Sequence, residues 1–161
     1  MYKIFSRRPV TDDIVSSSLY NQDTFFGTFH RDIKQCQKEL IIESPFITER
    51  RMQVLLPILQ KLRRRGVSIQ VNTRNPEEHD EVYEVQAMEA VAQMQALGIT
   101  VLYTAGHHRK LAIIDRKVIW EGSLNILSFN DSCEIMRKIT STTLAKQLVE
   151  FTAVDTYLRG A

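Results

Sequence analysis

Two cysteines, Cys36 and Cys133, are all the thiol chemistry that these 161 residues offer. They lie far apart in the chain, so they outline neither a disulfide framework nor a metal knuckle, and buried free thiols in a reducing compartment are expected. No apolar run approaches the ~20 residues of a membrane-spanning helix. Lys3, Arg7 and Arg8 are followed by no apolar stretch, so no signal peptide is expected, and a cytoplasmic location is. A net charge of +2 is too small to imply nucleic acid by itself. Aromatics are 8% of the chain, with no paired or clustered rings to suggest base stacking. His30 and His79 are isolated, and no H-x-x-x-H or C-x-x-C is present, which leaves metal hydrolysis without ligands. The acids Glu77, Glu78, Asp80, Glu81 and Glu84 lack the spacing of a calcium loop and suit the first turn of a helix instead. A nucleophile elbow, a P-loop and a G-x-G-x-x-G turn are also missing, which argues against serine hydrolysis and nucleotide use. No metal and no cofactor is therefore expected.

What is present is an ordinary globular composition, 43% hydrophobic and 25% charged, in a length that suits one domain with a sizeable core. Residues 1–24 are polar and weakly periodic and read as an N-terminal arm or linker, with the main domain at 25–161. Phe29, Ile33 and Cys36 mark one face of a helix at about 28–38. Leu40, Ile41 and Ile42 read as a buried strand, closed at Glu43-Ser44-Pro45-Phe46. Thr48 is a candidate cap for a helix to about residue 65, with Met52, Leu55, Leu56, Leu59 and Leu62 inward and Gly66 beyond its end. Pro57 should kink that helix or mark its real start. Residues 67–73 alternate as a strand. Val82, Val85, Met88, Val91, Ala92 and Gln95 trace the apolar face of another helix, which ends at Gly98. Strands follow at 99–103, 108–114, 118–121 and 133–139. Ser141 caps a last helix, with Leu144, Leu148, Phe151, Val154 and Leu158 on its core side. This order predicts an α/β fold with a mixed central sheet flanked by helices on both faces.

One segment carries chemistry. His108, Lys110 and Asp115 are followed by Gly122-Ser123-Leu124-Asn125, a pattern H-x-K-x4-D-x6-G-S-x-N. Residues two apart on a strand share a face, so an imidazole and an ammonium become neighbours. Neutral imidazole is a nucleophile or base near neutral pH, and the ammonium is a point charge for phosphate. Ser123 and Asn125 add hydroxyl and amide donors, again two apart. Together they suit an anionic phosphoryl group. A lone H-x-K would be unremarkable in a buried strand, but six fixed positions in 18 residues are not. His107 cannot take the first position, because Arg109 and Ile114 would then stand where lysine and aspartate belong.

The segment resembles the HKD signature of the phospholipase D superfamily, and the likeness extends over about residues 28–158. It implies the half-domain fold of that superfamily. Because the signature occurs once and the family's reaction uses two histidines, it also implies a homodimer with one shared site. His108 of one subunit would attack phosphorus to give a phosphohistidine. The second His108 would protonate the leaving oxygen and then activate water. Lys110 and Asn125 would bind phosphate oxygens, Ser123 would orient the site, and Asp115 would be structural. A later acid holds the histidine ring in the family, and Glu134 is the match here. No divalent metal is implied.

Basic residues concentrate between 49 and 74: Arg50, Arg51, Lys61, Arg63, Arg64, Arg65 and Arg74 stand against Glu49 alone. Arg63, Arg64 and Arg65 read either as cations at a helix C-terminus or as a rim that tracks phosphates. Arg109 beside the signature is a second candidate for nucleic-acid contact. These features rank a nuclease first, with DNA ahead of RNA. The segment also looks like modules found beside helicase or ATPase domains in DNA-processing and defence proteins. A module that binds nucleic acid without turnover is a second reading. A phospholipase or phosphatidyl-transfer enzyme is a third, and it lacks an unassigned apolar face for a membrane.

Overall fold

The computed structural model describes residues 13–129 and 131–152. Seven strands form one sheet: β1 (Ser16–Asn21), β2 (Glu39–Glu43), β3 (Ser68–Thr73), β4 (Thr100–Tyr103), β5 (Leu111–Ile114), β6 (Val118–Gly122) and β7 (Ile135–Thr140). Four helices accompany them: α1 (Phe25–Lys34), α2 (Glu49–Arg64), α3 (Glu81–Ala96) and α4 (Thr142–Thr152). The strand order is β1-β7-β6-β5-β2-β3-β4. β2, β3 and β4 run parallel, linked by α2 and α3, while β5, β6, β7 and β1 are antiparallel neighbours. The mixed α/β sheet is thus the one the order of apolar segments predicts.

Strand alternation sorts the core into two layers. Leu40, Ile42, Ile69, Val71, Ala112, Ile114 and Trp120 pack against α1, α2 and α3. Ile41, Leu111, Ile113 and Ile119 turn to the other face, where Ala145 and Val149 of α4 cover them. β2 and β5 are buried on both faces, which is why they read as continuous apolar runs.

Several local expectations need correction. Residues 16–21, expected as part of an arm, form β1, paired with β7 and held by Tyr20 against Trp120 at 4.8 Å between ring centroids. The arm up to residue 12 lies outside the described residues. α1 starts and ends earlier than expected, so Phe25 is buried within it and Cys36 lies beyond it. α2 continues through Pro57, which is exposed, so water can take the carbonyl that proline frees. The buried face of α3 is rotated from the expected one. Val82, Val85 and Met88 are exposed, Val91 is buried as expected, and Ala87, Ala90 and Met94 are buried with it. The helix offers two apolar stripes, and the one with small alanines lies inward. In α4 the expected Leu144 and Leu148 pack partly buried on the core beside the buried Ala145 and Val149, Thr152 is buried, and Phe151 is exposed. Val154 and Leu158 lie outside the described residues.

Two caps follow the sequence. Gly66 takes the positive φ of 83° that ends α2. Ser141 accepts from the Leu144 amide at 3.1 Å, and Asp13 accepts from Ser141 Oγ and from the Thr143 amide.

Cys36 is fully buried and donates to the Glu39 carbonyl and to Asp115 Oδ1. Burial, together with the negative charge of Asp115, pushes its thiol up to about 12. Cys133 is exposed. A native thiol titration should therefore show one fast group per chain, Cys133, and a second only on unfolding. Two fast thiols would contradict the packing around Cys36.

Candidate active site

β2, β3 and β4 all end at one edge of the sheet, the usual place for a site in an α/β fold. The antiparallel β5 begins at that edge and β6 ends there, with Glu43, Leu111 and Glu121 side by side. The sheet therefore brings the two halves of the signature together. Residues 108–110 enter β5, and Gly122 to Asn125 leave β6. The Gly122 amide donates to the Lys110 carbonyl at 3.3 Å, a direct link between the halves. Gly122 is required by proximity: a Cβ there would meet the Ile135 carbonyl oxygen and lie 2.9 Å from the Met136 Cα.

The expected strand at 108–114 is shorter, because β5 starts at Leu111. His107 and His108, adjacent in sequence, differ in exposure. His107 is buried, with Nε2 lacking a partner among the described residues, and burial lowers its pKa against the opposing charge of Glu43. His108 is exposed, and its ring makes no hydrogen bond among the described residues. Lys110 Nζ donates to the His108 carbonyl at 2.6 Å, which holds the ammonium beside the histidine. Partial burial lowers the pKa of Lys110; Glu134 opposes that shift and Arg74 reinforces it. Glu134 and Arg74 thus both stand near enough to act on the ammonium by charge.

Ser123 joins the site to β7. Its amide donates to the Ile135 carbonyl, and its Oγ accepts from the Ile135 amide at 3.1 Å. The same hydroxyl donates to Glu134, whose other oxygen accepts from Ser132 at 2.6 Å. Glu134 makes no hydrogen bond to His108 within this chain, among the described residues. Asn125 is buried, with Oδ1 unpartnered among the described residues. Its loop is fixed to the end of β2 by the bond from the Leu127 amide to Ser44 Oγ, and to the start of α2 by Thr48. The Thr48 hydroxyl, expected to cap α2, instead accepts from the Phe129 amide at 2.9 Å.

Asp115 sits at the far end of β5 from His108. Its carboxylate accepts from the amides of Gln37, Lys38 and Glu39, at 2.9, 2.7 and 3.0 Å. Burial alone would raise its pKa, but these amide bonds prevail and lower it. Asp115 and Arg116 both have positive φ, the tight-turn geometry that starts β6. The aspartate of the signature thus ties the hairpin to the entry of β2.

The basic residues proposed for nucleic-acid contact fare differently. Arg109 pairs with Glu43, donating from both Nε and Nη2, and Glu43 has no exposed side-chain surface. Asn72 also donates to Glu43, at 3.2 Å, and accepts from Thr104 at 2.9 Å. Arg109 is therefore part of a structural clamp under residues 107–110. Arg63 donates to the carbonyls of Leu97 and Val67, and Arg65 to those of Lys34 and Cys36. They close the end of α2, which lies ~24 Å from its start near the site, at 1.5 Å per residue. Arg64, although exposed, shares that distant end. The helix-terminus reading is the one the structure supports for this cluster. Glu43, Asn72, Arg74 and His107 are the site neighbours that the sequence did not disclose. An acid closing an apolar strand was the one visible signal, and the register of β2 against β5 gives it meaning.

A family model described as "Cardiolipin synthase, PLD-like domain" matches residues 29–154. No curated protein sequence matches the chain significantly. Among solved structures, Nuc from Salmonella typhimurium, a phospholipase D family member, superposes with a TM-score of 0.70 at 15% identity, covering 84% of this chain and 90% of that one. NucT from Helicobacter pylori gives 0.65 at 16% identity, over 84% and 92%. Phosphatidylserine synthase from Haemophilus influenzae gives 0.60 at 17% identity, over 89% and 38%. With the signature assembled at one sheet edge and the family model covering most of the sequence, the chain belongs to the phospholipase D superfamily.

Proposed function

We propose that the protein is a phosphodiesterase that cleaves nucleic acid, DNA ahead of RNA, without a metal ion, at a site completed by a second copy of the chain. The observation that carries this reading is the placement of His108, Lys110, Ser123 and Asn125 at one edge of the sheet, with the His108 ring free and Lys110 held beside it. His108 attacks phosphorus as the bond to the leaving oxygen breaks. The partner's His108 donates the proton to that oxygen and then takes one from water, which cleaves the phosphohistidine. Lys110 and Asn125 hold the non-bridging oxygens as charge develops on them. Glu134 keeps Ser123 and the Lys110 ammonium in place and orients the His108 ring in the assembled dimer.

Nucleic acid ranks above lipid because cations stand on both sides of the signature, Arg74 on one and Lys110 and Arg137 on the other, where Leu19, Leu111 and Ile135 add an apolar share. No described helix is long and apolar enough to cross a membrane. A helicase or ATPase, as a partner or a fused domain, would supply opened strands to such a site.

The test is cleavage of labelled single- and double-stranded DNA and RNA in EDTA. Cleavage in the chelator is the expected result and identifies the polymer. Binding without cleavage would return the chain to a nucleic-acid-binding module. Turnover of phospholipid vesicles with no polymer cleaved would favour phosphatidyl transfer.

A further inference from the structure

Three rings scattered in the sequence line one cavity beside the signature. Phe46 follows β2, and His79 and Tyr83 flank the start of α3. With Arg74, Asp80 and Asn125 they line a cavity of about 350 Å³, near the lower end of the size range for small-ligand sites. The ring of His79 lies 5.0 Å from that of Phe46, inclined at 38°. The Arg74 guanidinium stands 5.5 Å from the Phe46 centroid. Two polar atoms around this space are buried without hydrogen-bond partners among the described residues: Asn125 Oδ1 and Arg74 Nε. Asn125 belongs to the signature as well, so the cavity borders one of the residues that would hold phosphate, while Lys110 lines the neighbouring pocket.

The lining decides among ligand classes. An acyl chain would leave the amide and the guanidinium unsatisfied. A second bare phosphate would meet Glu78, 3.7 Å from Arg74, and Asp80. A flat heterocycle with both donors and acceptors suits all of them: faces for the rings, acceptors for Arg74, donors for Asp80 and Asn125. Burial, with Arg74 close by, lowers the pKa of His79 and favours the uncharged ring that stacks well.

We propose that this cavity is a nucleobase subsite, which takes the base next to the scissile phosphate after it leaves its stack. Resting on the nuclease reading above, it specifies the substrate as single-stranded nucleic acid, because a duplex keeps that base paired and stacked.

The experiment compares kcat/KM for a single-stranded oligonucleotide, the same backbone built from abasic residues, and the duplex. The proteins are wild type, the double variant His79→Ala/Tyr83→Ala, and Tyr83→Phe, with thermal melts to confirm folding. Wild type should prefer the base-bearing strand over the abasic one by roughly five- to a hundredfold, the worth of one stacked base. It should cleave the duplex more slowly than the single strand. The double variant should bring the base-to-abasic ratio towards one, and Tyr83→Phe should keep it high. A ratio unchanged in the double variant, or a wild type indifferent to the bases, would overturn the subsite and leave the nuclease reading standing. A wild type that cleaves no polymer would overturn both.

Discussion

Replacing His108 with alanine should lower phosphodiester cleavage by roughly 10³- to 10⁶-fold, the range seen when a nucleophile or its proton-transfer partner is removed. The melting temperature should hardly change, because His108 is exposed and its ring bonds to nothing among the described residues. The same variant tests whether the site is shared. If each active centre needs one His108 from each of two subunits, a mixed dimer is dead. Co-refolding equal amounts of wild type and variant should then leave about a quarter of the wild-type activity rather than about half. Full activity in the variant would remove His108 from the mechanism. Activity that follows the wild-type fraction linearly would remove the shared site and keep the histidine.

The second large effect is on stability. Arg109→Ala should cost about 3 kcal/mol, because it strands the Glu43 carboxylate in a fully buried position with Asn72 as its one remaining hydrogen-bond donor among the described residues. In a domain of this size that corresponds to a fall in melting temperature of roughly 6–12 °C. The joint replacement Glu43→Leu/Arg109→Leu should recover most of the loss, since a buried ion pair is often no better than apolar side chains of similar volume. Cleavage should stay impaired in the double variant, because residues 107–110 lose the clamp that positions His108 and Lys110. A melting temperature unchanged in Arg109→Ala would mean that the pair is not holding the segment.

That pair shows where sequence reading stopped. Arg109 lies between His108 and Lys110, and beside a phosphate signature it reads as a contact for a polyanion. Glu43 reads as the polar end of an apolar strand. They are 66 positions apart, and the pairing of β2 with β5 turns both into structure. Arg63 and Arg65 teach the same lesson through backbone carbonyls: both guanidiniums are bonded at the end of α2. α3 went wrong for another reason. Its apolar residues fall on two stripes, and periodicity cannot say which of them the sheet will cover.

The sequence by itself determined the alternation of strands and helices and the signature with its fixed spacing of His108, Lys110, Asp115, Ser123 and Asn125. Those are local facts: apolar period, turn residues and fixed spacing operate over a few residues, and a single strand pair carries the whole signature. Tertiary structure alone decided that residues 16–21 complete the sheet, that Glu43 clamps Arg109, that the basic end of α2 points away from the site, and that Phe46, His79 and Tyr83 share a cavity with Asn125. Each of these joins segments dozens of residues apart, and such meetings depend on which strands pair and which helix faces are buried.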